Sequence, residues 1–316
     1  MSTTMTNHQC DVEAEHRARL LADLDRMDAQ LELTGEFRIL RRLRMRSTYG
    51  EPDGSRLHRG IYLDVETTGL DPTSDEIIEI AMVPFDFSAD GRVFAVHDSF
   101  ERFRDPGCPI PPAVTALTGI TDAMLAGASV NPTEIEAFLA RAVLVVAHNA
   151  NFDRRFAERL CGAFAYLPWA CSWSEIEWAG EGFTEGTKLQ HLAAQAGFYF
   201  DGHRAVNDCR AGIELLSRPL TKCGRTALDL LLTSARTPRW RVAAVGAPFE
   251  LRGRLKTRGY RWQSGDDGRL RAWVTEVTEN ALDEERTFLC GEIYGRQDAA
   301  FDVRRIDAFD RFSDRA

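Results

Sequence analysis

Three short segments place acids and histidines at spacings that a reaction centre would use. In Asp64-Val-Glu-Thr-Thr-Gly-Leu70, Asp64 and Glu66 share one face of a β-strand while Leu63 and Val65 enter the core. Carboxylates that close repel unless a proton or a cation intervenes, so the pair calls for a divalent metal; a solvated acidic face is the plainer alternative. Thr67-Thr-Gly69 then supplies hydroxyls and a turn with close backbone approach. In the second segment the apolar run Val143 to Ala147 leads into His148-Asn-Ala-Asn-Phe-Asp153. Asn151 is expected to cap a helix continuing through Arg154 to Leu160, with Asp153 in its first turn. Taken alone, Asp153 there favours the helix dipole and His148 bonds locally, with no further role for either. The third segment is His203-Arg-Ala-Val-Asn-Asp208-Cys-Arg-Ala211, leading into Gly212. Ala205, Asp208, Ala211 and Gly212 fall on one helical face, whose small residues let it sit close against a sheet. Asp208 on such a face requires a cation to meet it, and His203 precedes the helix on a segment free to move.

The elements that must position these residues follow from pattern. From Gly60, alternation in Ile61, Leu63 and Val65 gives a strand, and the apolar stretches Ile77 to Phe87 and Phe94 to Phe103 complete an antiparallel meander. Pro106, Pro109, Pro111 and Pro112 break the chain, and helical patterns then surround two short strands, Ala142 to Ala147 and around Trp169 to Trp173. This is an α/β layer domain with a mixed sheet over 58–220. Before it, 1–57 reads as a helical extension and linker. Leu20, Leu24, Met27 and Leu31 form a heptad-like stripe in a helix over 12–45, which either packs on the main domain or meets a partner helix. Arg38, Arg41, Arg42, Arg44 and Arg46 form a basic arm. After a connecting helix in 221–237, residues 238–316 read as a small, separate α+β module. Its elements are a strand at Arg241 to Val245, a helix at Phe249 to Arg258, a hairpin of Tyr260 to Gln263 with Leu270 to Val277, and a helix over Glu279 to Ile293.

Composition removes other classes. With 316 residues and 44% apolar content, the chain has material for about two domains, and it is too hydrophobic for disorder. Its longest purely apolar run, Ala142 to Ala147, falls far short of a spanning helix, and Met1 to Cys10 has no signal-like stretch, so a cytoplasmic protein without membrane contact is expected. Seven cysteines without a C-x-x-C pair indicate reduced thiols rather than zinc or disulfides. No G-x-x-x-x-G-K-[ST] loop is present, which excludes an ATP motor of that type. A net charge of −9 argues against a nucleic-acid partner when taken as a whole, yet Pro238 to Val274 carries nine Lys and Arg against three acids, with Trp240, Tyr260, Trp262 and Trp273 interleaved. Those aromatics either stack bases or form the core of a small sheet.

Read together, D-x-E-T-T-G-L, H-N-A-x-F-D and H-R-A-x-x-D-x-x-A resemble the DEDDh 3′–5′ exonucleases, the family of the epsilon proofreading subunit of DNA polymerase III. The resemblance covers roughly Gly60 to Leu220 and takes in Asp75-Glu-Ile-Ile-Glu-Ile80 and Leu117-Thr-Gly-Ile120. It implies a ribonuclease-H-like mixed β-sheet flanked by helices. It further implies that Asp64, Glu66, Asp153 and Asp208 hold two Mg²⁺ ions, for which Mn²⁺ substitutes, with Asp64 bridging them and His203 as general base. Thr67 and Glu66 would lie near the terminal 3′ hydroxyl, and Leu70 and Phe152 would contact the last bases. The reaction implied is hydrolysis of the 3′-terminal phosphodiester of nucleic acid, DNA in proofreading or repair, releasing nucleoside 5′-monophosphates, with a polymerase or repair protein as partner. An RNA-trimming enzyme of the same chemistry and a catalytically silent adaptor are the alternatives. Cys171-Ser172 stands where relatives often carry Asp-Thr, a departure that touches no ligand position.

Overall fold

A computed structural model describes residues 16, 19–24, 26–265 and 270–315. The described residues between 16 and 33 form α1, which ends at a Thr34-Gly35 turn with Gly35 at φ 73. The helix expected to reach residue 45 therefore stops early: a positive φ breaks the α-helix. Residues 12–15 lie outside the described residues. The arm that follows is extended, and its β1 (Arg41–Arg42) pairs in parallel with β8 (Phe198–Tyr199). Leu20, Leu24 and Met27 of the stripe are exposed.

The central sheet is built from β2 (Leu57–Thr67), β3 (Ile77–Ser88), β4 (Val93–Val96), β5 (Phe100–Phe103), β6 (Ala142–Ala147) and β7 (Trp169–Cys171). Its order is β4-β3-β2-β6-β7, with β5 also on β3. β3 runs antiparallel to both β2 and β4, and β6 and β7 run parallel to β2. That is the mixed sheet of a ribonuclease-H-like fold. The single strand expected over Phe94 to Phe103 is two, because β4 pairs with Phe85–Phe87 and β5 with Glu79–Met82. Between these stretches lies Pro84, which has no N–H to donate to a neighbouring strand.

Helices cover both faces: α2 (Pro112–Thr118), α3 (Asp122–Leu125), α4 (Pro132–Leu139), α5 (Ala150–Leu160), α6 (Leu189–Gln195), α7 (Ala205–Ser217) and α8 (Ala227–Arg236). On one face Ile61, Leu63 and Val65 pack with Phe156 and Ala157 of α5; on the other, Tyr62 and Ala81 pack with α7. The α7 contact is close because a Cβ at Gly212 would stand 2.1 Å from the Tyr62 ring, so only glycine fits. Thr226 caps α8 by accepting from the Asp229 amide.

A second sheet, order β10-β11-β9-β12, comprises β9 (Arg239–Val245), β10 (Arg261–Gln263), β11 (Ala272–Val277) and β12 (Asp302–Ile306). Val242, Ala244 and Trp273 form its core with Leu255 of α9 (Arg252–Thr257) and with Leu282 and Phe288 of α10 (Leu282–Phe288). The expected hairpin is present, with Trp262 opposite Trp273, while its tip at 266–269 lies outside the described residues. The last segment, 307–315, leaves this sheet and lies on the central one. There Trp169 N donates to Ala308 O at 2.8 Å. The wholly buried Arg154 of α5 donates to the carbonyls of Ala308, Phe309 and Arg311. Arg311, also buried, pairs with Glu175 and donates to the Ala235 and Thr237 carbonyls at the end of α8.

Candidate active site

The carboxylates converge where β2 outruns its parallel neighbour. The β2–β6 pairing ends at Tyr62↔Val146, and beyond it the Val65 amide donates to Asp153 Oδ1 at 3.2 Å. Asp153 lies in the first turn of α5, as the sequence indicates, but the helix begins at Ala150 and its cap position is Asn149, not Asn151. From the opposite face, α7 brings in Asp208. Its close seat on the sheet, set by Ala205, Ala211 and Gly212, puts oxygens of Asp64, Glu66 and Asp208 within 4.8 Å of one another.

So many acids in one corner strain each other's ionisation. Burial, then the charges of Asp208, Asp153, Glu66 and Glu79, push Asp64 well above the ordinary carboxylate range. Burial and Asp208 raise Glu66 to about 8. Asp153 and Asp208 each rise to about 7, chiefly by burial, against the backbone N–H groups that favour their charged forms. Hard oxygen donors, no thiolate in the set and mutual repulsion are what a divalent cation fits. Asp64, Glu66 and Asp208 form the tight set; Asp153 borders it through the shared β2 backbone.

His203 is half-buried in the turn before α7, at φ 61. Its backbone amide and that of Arg204 bond the Asp208 carboxylate, which fixes the turn beside the acids. Thr67 is buried at a register shift that follows Glu66, an irregularity that re-aims side chains at a strand end. The loop after it closes on Asp75, which bonds Thr68 Oγ1 and the Asp71 amide and leaves room for no Cβ at Gly69. Leu70 stands out of this loop, 84% exposed. Phe152 is half-buried, its ring 4.9 Å from that of Phe156.

His148 keeps its plain structural role. Its Nε2 donates to the Thr187 carbonyl at 2.9 Å, so Nδ1 is the acceptor for Ser172 Oγ at 3.0 Å, and burial lowers its pKa to about 4. Ser172 also bonds the Tyr62 hydroxyl, so the departure at 171–172 is absorbed by packing. Two residues escaped the sequence reading. Glu79 lies opposite Glu66 across β2–β3, buried, and Arg204 holds it at 2.9 Å while the Ala205 amide donates to it. This pair joins the start of α7 to β3. The signal was a lone charge inside the apolar run Ile77-Ile-Glu-Ile80, since an acid is almost never buried unpaired.

Residues 61–216 match the family model described as RNase_T, exonuclease. The DNA polymerase III PolC-type of Caldanaerobacter subterraneus subsp. tengcongensis is 31% identical over 179 residues, covering 55% of this chain and 12% of the polymerase. That of Halalkalibacterium halodurans is 44% identical over 99 residues, 30% of this chain and 6% of the polymerase. The chain thus spans a small fraction of the length of these relatives. Among solved structures, Exonuclease X in complex with 5′ overhanging duplex DNA is 25% identical at a TM-score of 0.42, over 55% of this chain and 99% of that one. Exonuclease I of E. coli in complex with a dA16 oligonucleotide is 14% identical at a TM-score of 0.48, over 73% and 67% of the two chains. Among the described residues no helix is long and apolar enough to cross a membrane. Residues 61–216 thus form a 3′–5′ exonuclease domain of the DEDD type, matched by the RNase_T exonuclease model.

Proposed function

We propose that this chain removes the 3′-terminal nucleotide of DNA by metal-dependent hydrolysis and releases it as a nucleoside 5′-monophosphate. The observation that carries the reading is the approach of Asp64, Glu66 and Asp208 oxygens to within 4.8 Å in a half-buried corner. Asp64, Glu66, Asp153 and Asp208 are the residues to hold two Mg²⁺ ions, with Mn²⁺ as a substitute. Bound there, the cations supply Lewis-acid stabilisation of the phosphoryl and leaving oxygens. His203 accepts the proton of the attacking water as general base. Thr67 and Glu66 face the terminal 3′ hydroxyl, and the exposed Leu70 and the Phe152 ring bracket the last bases. A polymerase or repair complex is the setting proposed, after the polymerases in which similar segments occur.

The test is release of nucleotide from 3′-labelled single-stranded, duplex and mismatched DNA, with matched RNA in parallel. Mg²⁺-dependent release is expected, DNA exceeding RNA. His203→Ala is expected to lose about 10²- to 10⁴-fold in rate. Cleavage by Asp64→Ala equal to that of the wild type removes the proposal, and faster cleavage of RNA replaces its substrate.

A further inference from the structure

The basic stretch of the second sheet does not divide evenly between core and surface. Tyr260 is buried and Trp273 only 9% exposed, but Trp262 and Phe249 are 49% and 70% exposed. Each exposed ring carries a cation. The Arg252 guanidinium lies 3.8 Å from the Phe249 ring centre, and that of Arg271 lies 5.7 Å from the Trp262 ring centre. Lys256 Nζ lies 5.7 Å from the Trp273 ring, which is itself 5.5 Å from that of Trp262. Arg252 and Lys256, four residues apart on α9, share a helix face. The result is one continuous line: Phe249, Arg252, Lys256, Trp273, Trp262, Arg271.

The cations on this line differ from their neighbours. Arg254 pairs with Glu292, and Arg258 with Glu284 and Glu285. Arg252, Lys256 and Arg271 have no carboxylate partner among the described residues, in a chain whose net charge is −9. Cations without a carboxylate partner among the described residues, set beside the exposed Phe249 and Trp262 rings, complement a polyanion whose bases are free to stack, which a duplex does not offer. We propose that this line is a docking surface for single-stranded DNA, holding the strand upstream of its 3′ end. The polarity rests on the exonuclease reading; the surface itself rests on the rings and cations. The contacts of 307–315 with α5, β7 and α8 fix the second sheet to the first, so a strand held here is held at a set offset from the carboxylates.

The experiment uses the full chain carrying Asp208→Asn, without Mg²⁺, so that binding is read without cleavage. Its ligand is an oligo(dT) of about 20 nucleotides, followed by anisotropy across a salt series. Lys256→Gln with Arg271→Gln is expected to flatten the slope of log K against log[salt] by about 1.4, the share of two phosphate contacts on a single strand. Trp262→Ala is expected to weaken binding roughly 5- to 150-fold with an unchanged salt slope, and Trp262→Phe to restore most of it. Circular dichroism confirms that each variant is folded. Wild-type affinity and slope in all of the variants overturn the surface, as does equal or tighter binding of matched oligo(U) by the unaltered line. A chain that binds in this way but never cleaves refutes the exonuclease reading alone.

Discussion

In the central sheet, Asp64, Glu66, Asp153 and Asp208 are drawn into one half-buried corner, where burial and mutual repulsion raise their pKa values. In the second sheet, Arg252, Lys256 and Arg271 lie along an open face, over aromatic rings and far from water exclusion. The acids are held by elements distant in sequence, and their value depends on sub-ångström placement. The cations are held by one short helix and a hairpin, and each acts nearly alone. Crowded charge needs a rigid frame and a counter-ion; spread charge needs neither. The two sheets are nevertheless not independent, since residues 307–315 join the second to the frame of the first. Deleting 238–316 therefore removes part of the support of α5 and α8 together with the basic surface.

Substitutions should separate these two behaviours. Asp208→Asn is expected to lower the cleavage rate by more than the roughly 100-fold that loss of an outer-shell partner costs, measured as nucleotide release in Mg²⁺. A smaller loss would mean that the corner is less tightly coupled than its geometry indicates. Arg311→Met leaves Glu175 buried without its cation and should destabilise the chain by about 3–5 kcal/mol in denaturant titration. An unchanged midpoint would make the two sheets separable after all. Gly212→Ala forces a Cβ into the Tyr62 ring and should cost about 1–3 kcal/mol and lower activity, since α7 carries Asp208.

The pH dependence has a definite sign. Glu66 rises from 4.5 to about 8, and Asp153 and Asp208 from 3.8 to about 7, on folding. The folded protein thus binds more protons than the unfolded one across this window, and metal-free stability falls as pH rises from about 4 to 8. Thermal melts in chelator should show the fall and melts in Mg²⁺ should reverse it, with proton release on binding. A flat profile in chelator would show that the acids are not crowded in solution. Smallest of all, Arg271→Gln should move stability by no more than about 0.5 kcal/mol, as befits an exposed cation.

Much of the site was legible because its spacings are local. Two residues on a strand put Asp64 and Glu66 together, and three or four on a helix line up Ala205, Asp208, Ala211 and Gly212. The carboxylates could be named before any fold, and the antiparallel meander and mixed sheet followed from short turns and apolar runs. The cap of α5 was misplaced by two residues, the strand over Phe94 to Phe103 was divided by an unseen Pro84 neighbour, and α1 was drawn too long. Each error lies at an element boundary, where one backbone donor or one positive φ decides.

By itself the sequence determined which residues share a face and where cations and rings alternate. These depend on backbone periodicity, which neighbouring residues impose. Only the tertiary structure decided that Glu79 and Arg204 pair across 125 positions, that Trp262 stays open while Trp273 is covered, and that Arg154 and Arg311 bind the last residues to the catalytic sheet. Those contacts join segments far apart in the chain, and no local spacing encodes them. They form because buried charges and carbonyls must find partners wherever packing of the sheets brings them together.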